Sequence, residues 1–162
     1  MIRVGIVTAS DKGSRGERED VNGRIVEEMV AEIGGTVVFR AIVPDEQDKI
    51  REALMQGADT MDLDLIVTTG GTGVSPRDVT PDATRDIIHR EIPGFAEAMR
   101  REGLTKTPHA MISRGVCGIR GCTVIINLPG SPKAVREGLG VVLPALRHTI
   151  EQVRGDPRDC AE

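Results

Sequence analysis

Residues 68–84 read TTGGTGVSPRDVTPDAT, and they bring two kinds of chemistry together. Gly70, Gly71 and Gly73 free the backbone for close approach to a ligand, and backbone N–H groups presented this way attract phosphate. Asp78 and Asp82 follow four residues apart, and carboxylates repel phosphate. The known phosphate fingerprints are absent. No GxxxxGK[ST] string occurs, and GxGxxG fails because Pro76 stands where the third glycine would follow Gly71 and Gly73. On its own, the loop reads equally well as a plain turn or as an anion cradle.

Local physics separates the two aspartates. Thr80-Pro81-Asp82 reads as a helix start, with Thr80 as N-cap, Pro81 at the first helical position and Asp82 against the positive helix end. Asp78 lies outside that helix, beside Arg77, where it is either a functional carboxylate or a turn residue paired with Arg77. Asp45, in Asp45-Glu46-Gln47-Asp48, fits an N-cap, a role compatible with metal contact because a carboxylate has lone pairs to spare. Ser131-Pro132-Lys133 places a cation in the first turn of a helix, against the dipole. A bound anion would relieve that conflict, and so would a lysine extended into water. In Ser113-Arg114 the guanidinium is either a planar grip for phosphate or a surface charge.

Other chemistries find little support. His89, His109 and His148 are scattered, and no GxSxG elbow is present for Ser-His-Asp hydrolysis. Cys117, Cys122 and Cys160 lack the spacing of a zinc site, and so sparse and odd a set suits a reducing cytoplasm. The net charge of -4 and an aromatic share of 1%, with only Phe39 and Phe95, argue against a nucleic-acid partner. The first residues, MIRVGIVTAS, turn polar too early for a signal peptide, and no apolar run approaches a membrane span. A cytoplasmic location is expected.

The elements that must position these residues alternate between two periodicities. Near-continuous β-branched runs at 2–8, 36–43, 63–69 and 123–129 predict parallel strands buried on both faces. Helical spacing covers 21–33, 46–58, 80–90, 94–104 and 132–153, the last with Pro144 either kinking it or dividing it in two. The stretch 105–122 is expected to hold a short helix and a short strand. The pattern predicts a three-layer α/β/α sandwich with a mostly parallel central sheet, formed by one domain over 1–153 and followed by a polar tail over 154–162. Each main strand runs out into a polar loop: TASDKGS, PDEQD, GGTGVSPRD and NLPGSPK. In an open parallel sheet these loops share one edge, where ligands bind.

Taken together, TASD at 8–11, VPDE at 43–46, the GGTG-x3-RDVTPDAT string, IPGFAEAMR at 92–100, SR at 113–114 and NLPGSPKAV at 127–135 resemble the molybdopterin adenylyltransferases of the MogA/MoaB type. The resemblance runs nearly the whole length of the chain. It implies transfer of AMP from ATP to the terminal phosphate of molybdopterin, with Asp45 and Asp78 catalytic and holding Mg²⁺. It also implies that substrate is held by Thr8, Ser10, Asp11, Gly70, Gly71, Thr72, Gly73 and Ser75. Ser113, Arg114, Asn127, Pro129, Gly130, Ser131 and Lys133 complete the implied binding set. A trimeric or hexameric homo-oligomer and hand-off of product to a molybdenum insertase are further implications. A non-catalytic molybdopterin carrier of the same fold is the alternative. One departure is visible: Asp20-Val21-Asn22-Gly23 stands where relatives carry D-x-S-G, and Asn22 can cap a helix as serine does.

Overall fold

The structure, a computed structural model, describes residues 1–155. Six strands form one sheet: β1 (Ile2–Ala9), β2 (Gly35–Val43), β3 (Leu65–Thr69), β4 (Arg90–Glu91), β5 (Cys117–Arg120) and β6 (Thr123–Leu128). The helices are α1 (Asp11–Ser14), α2 (Val21–Ala31), α3 (Gln47–Met55), α4 (Thr80–Ile87), α5 (Pro93–Leu104) and α6 (Pro132–Val153). The sheet order is β2-β1-β3-β6-β5-β4, with β2, β1, β3 and β6 parallel and β5 and β4 added antiparallel.

Strand alternation sends side chains to two cores. On one face Val4, Ile6, Leu65, Val67, Val124 and Ile126 meet α2, α5 and α6. On the other, Val7, Ile66 and Ile125 meet α3 and α4 through Ile50, Leu54, Ala83 and Ile87. Helices on both faces of a mostly parallel sheet make the three layers expected.

Several boundaries differ from the sequence reading for local reasons. The 46–58 pattern is α3 followed by a π-helical turn over Gln56–Thr60, closed by Met61 N–H on the Gln56 carbonyl at 3.1 Å. The 80–90 helix stops at Ile87, because His89 N–H turns to the Ile119 carbonyl at 2.7 Å and leads the chain into β4. Residues 105–122 hold a 3-10 turn over Pro108–Ile112 and then β5. Pro144 does not divide α6, which is continuous. Pro144 and Gly140, whose carbonyl loses its i+4 donor, both lie on the exposed face where water can replace that bond. The expected tail lies, beyond Gly155, outside the described residues.

Candidate functional site

The chain reverses its winding direction beside β1: β2 lies to one side of it and β3 to the other. A crevice opens at such a switch point, outside the carboxyl ends of the strands. Here β1 ends at Ala9 and β3 at Thr69, with the hydroxyls of Thr69 and Thr8 hydrogen-bonded across the gap at 3.3 Å.

The glycine loop is shaped by what crowds it. Gly70 sits at φ +88°, and a Cβ there would stand 2.4 Å from the Ala9 carbonyl oxygen. Its N–H donates to the Leu128 carbonyl at 3.1 Å, which seats the loop on β6. Gly71, at φ +67°, leaves room for Thr80 Oγ1, 2.5 Å from where its Cβ would be. A Cβ on Gly130 would lie 3.5 Å from Gly70 Cα, so the loops after β3 and β6 meet backbone to backbone.

Those two loops form a ridge shared by two cavities. One, of about 420 Å³, is acidic: Asp20, Asp45 and Asp78 line it with Thr8, Ser10, Gly70, Gly71, Asn22 and Gly130. The other, of about 300 Å³, lies against α5 and α6 and is lined by Thr72, Gly73, Ser113, Asn127, Pro129 and Ser131, with Arg100 and Glu137. Chain segments far apart in sequence therefore converge on one rim.

The two implied catalytic aspartates share the acidic cavity, each held by one oxygen. Asp45 Oδ2 accepts the Asp11 N–H at 2.9 Å, and Asp78 Oδ2 accepts the Ser75 N–H at 3.0 Å. Burial pushes the Asp45 carboxyl above its ordinary range; the Asp11 amide and Arg77 oppose this, and the neighbouring Asp11 and Asp78 carboxylates add to it. Asp45 does not cap α3, whose N-cap position is Glu46 with no side-chain bond. Its carboxylate turns instead toward the loop after β1.

Four expected binding residues line neither cavity. Asp11 pairs with Arg77, at 3.1 Å to Nε and 2.7 Å to Nη2, so the partner of Arg77 is Asp11 and not Asp78. Ser75 turns its N–H to Asp78 and its hydroxyl to the Arg77 N–H. Lys133 is 79% exposed and stands 3.9 Å from Glu137, which supports the solvated reading. Arg114 is committed internally. It donates to the Gly73 and Asp78 carbonyls at 2.8 and 2.5 Å and to both oxygens of Asp82 at 3.1 and 3.0 Å. The anion grip expected of it gives way to a clamp on the glycine loop.

Asn127 borders a cavity, but its carboxamide faces inward. It accepts the Val116 N–H at 3.1 Å and donates to the Thr68 and Thr84 hydroxyls at 3.0 and 2.9 Å. Thr80 is not the cap of α4, which is Val79; its hydroxyl is buried beside Gly71. Asp20 caps α2 through Gly23 N–H at 3.0 Å and also accepts the Thr8 hydroxyl at 3.1 Å. Asn22 does not cap; its Nδ2 donates to the Gly130 carbonyl at 2.7 Å and ties α2 to the NLPGSPK loop. Asp20 and Arg100 are cavity residues that sequence reasoning missed. For Asp20 a signal existed, a carboxylate on a loop at the carboxyl edge of the sheet. Arg100 lies inside a helix pattern and gave none.

The donor set suits a hard divalent cation. Two carboxylates, each with one oxygen free of protein hydrogen bonds among the described residues, face a loop able to hold phosphate, and Mg²⁺ favours few carboxylates plus phosphate and water. Among the described residues no group of three or more His, Cys, Asp or Glu is arranged around a metal position. No helix of the described residues is long and apolar enough to cross a membrane.

The fold and the sequence are shared with known proteins. The profile of the MoCF_biosynth family, described as "Probable molybdopterin binding domain", matches residues 5–148. A molybdopterin adenylyltransferase of Helicobacter pylori is 41% identical over 157 residues, covering 96% of this chain and 89% of the relative. That of Escherichia coli K12 is 42% identical over 140 residues, covering 85% and 72%. The crystal structure of the molybdopterin biosynthesis enzyme MoaB from Thermus thermophilus superposes with a TM-score of 0.91 at 53% identity, over 98% of this chain and 100% of that one. Fold and sequence agree, and the chain belongs to the MoCF_biosynth family of molybdopterin-binding domains.

Proposed function

We infer that this protein is a molybdopterin adenylyltransferase of molybdenum cofactor biosynthesis, as its relatives are named. An oxygen of the molybdopterin terminal phosphate attacks the α-phosphorus of ATP, the bond from that phosphorus to the bridging oxygen of the β-phosphate breaks, and pyrophosphate leaves with the bond electrons. The observation that carries this reading is the pair of cavities that both draw on the loops 70–73 and 129–131, because the same loops then border room for two phosphorylated substrates whose phosphates can meet at their shared rim.

Asp45 and Asp78 would hold Mg²⁺, which when bound neutralises charge on the phosphate oxygens. The chain's own contribution is placement. The Gly70 N–H is spent on the Leu128 carbonyl, which leaves the N–H groups of Gly71, Thr72 and Gly73 to receive phosphate; Arg114 fixes the carbonyls of Gly73 and Asp78 so that the loop keeps its shape, and Asp20 orients the Thr8 hydroxyl. Preorganised donors of this kind supply most of what phosphoryl transfer requires. The proposal extends to a cytoplasmic homo-oligomer, trimer or hexamer, that passes adenylated molybdopterin to a molybdenum insertase.

Purified protein with ATP, Mg²⁺ and molybdopterin should release one pyrophosphate per adenylated product. Binding of molybdopterin without any release would identify a carrier and reject the enzymatic reading. Tight ATP binding with indifference to molybdopterin would reject both.

A further inference from the structure

Asp45 and Asp78 stand on different loops, one after β2 and one after β3, and no direct bond joins them among the described residues. They are linked through two residues outside the cavity. Asp11 and Asp45 exchange bonds: Asp11 N–H donates to Asp45 Oδ2 at 2.9 Å, and Asp45 N–H donates to Asp11 Oδ1 at 3.0 Å. This reciprocal pair locks the loop after β1 to the loop after β2. Arg77, adjacent to Asp78, reaches across and takes both oxygens of Asp11 in a planar fork. The chain of bonds Asp45–Asp11–Arg77 therefore spans all three loops and ends next to Asp78.

We propose that Asp11 and Arg77 are positioning residues, which set the separation of Asp45 and Asp78 without touching substrate. The proposal rests on the adenylyltransferase reading for its catalytic consequence. The exposure of the pair, 30% for Asp11 and 56% for Arg77, separates this role from a structural one, since an exposed ion pair adds little to global stability. A small displacement of a group that aligns reacting phosphates, by contrast, is costly in rate.

Two variants isolate the link. Arg77→Gln keeps a polar, uncharged stub of the side chain and removes the fork. Asp11→Asn keeps an oxygen for the Asp45 amide and puts an N–H donor where Arg77 Nε needs an acceptor, which breaks the fork. Each is expected to lower kcat by roughly ten- to a hundredfold, with KM for ATP and molybdopterin within about twofold of the parent. The double variant should be no slower than the worse single one. Melting midpoints should be nearly unchanged, and Arg77→Lys should recover part of kcat.

Amide hydrogen exchange supplies a readout that needs no turnover. The Asp11 and Asp45 amides should exchange about tenfold faster in Arg77→Gln, while core amides such as Val67 keep their protection. Unchanged kcat and unchanged exchange would overturn the proposal. A loss appearing wholly in KM would also overturn it, by making these residues direct ligands. Absence of pyrophosphate release by the parent protein would instead refute the adenylyl-transfer reading, and the exchange rates would still decide whether the pair orders the loops.

Discussion

Arg114 holds both oxygens of Asp82, at 3.1 and 3.0 Å, and with the same guanidinium carries the carbonyls of Gly73 and Asp78. The Asp82 carboxyl is held below its usual range by that hydrogen-bonded partner. A half-exposed pair of this kind would be ordinary if it ended there, but the two carbonyls it also satisfies bracket the loop that bears Asp78. Arg114→Lys supplies one point charge where four N–H donors are used. It should lower the unfolding free energy by about 1–3 kcal/mol, measured by urea titration, and weaken molybdopterin binding through disorder of the loop. An unchanged urea midpoint would show that water replaces the clamp.

Asp45 should trade stability for activity. Its folded-state carboxyl is raised, first by burial and then by the Asp11 and Asp78 carboxylates, against the Asp11 amide and Arg77. A raised acid contributes stability below its unfolded value, and that contribution is lost as pH rises through the folded value. At neutral pH ionised Asp45 is therefore a burden on the fold. Asp45→Asn keeps an acceptor for the Asp11 amide and removes the burden. The variant should melt at or above the parent near pH 7, with the difference shrinking toward about pH 4, while pyrophosphate release falls at least about a hundredfold. A lower melting point at neutral pH would mark the carboxylate as structural.

The sheet, both helical layers and the rim were legible because their signals are local and periodic. Val4, Ile6, Leu65 and Val67 read as buried strand from their β-branched runs alone, and GGTG and NLPG mark close backbone approach. Partner choice was not legible. Arg77 pairs with Asp11, 66 residues away in sequence, and Arg114 with Asp82, 32 residues away. Nothing in either side chain's neighbours says which carboxylate it will meet. The same holds for Asn127, whose three partners come from β3, α4 and the segment before β5. β4 was missed because two residues carry no period.

Gly70 offers a test of how much the glycine loop depends on backbone freedom. Gly70→Ala forces an L-residue to φ +88° and drives its Cβ to 2.4 Å from the Ala9 carbonyl oxygen. Gly34→Ala is the matched control: φ is +80° and nothing lies within 4 Å of the new Cβ. The control should cost about 1 kcal/mol in urea unfolding and leave turnover intact, whereas Gly70→Ala should cost about 2–4 kcal/mol and abolish turnover. Equal costs would mean that the loop can move away from Ala9 freely.

The two described cysteines should differ sharply in reactivity. Cys117 lies on β5, fully buried against the core, and burial pushes its thiol up to about 12. The thiolate is the nucleophile, so at about pH 8 only roughly one Cys117 in ten thousand is reactive even before access is considered. Cys122 follows the turn at Gly121 and is exposed. Brief alkylation of the folded protein with iodoacetamide at that pH should modify the tryptic peptide 121–133 and spare 115–120, with Cys117 labelled only after unfolding. Labelling of Cys117 at a comparable rate in the native protein would show that β5 opens from the sheet, and with it the wall of the cavity that Ser113 and Asn127 line.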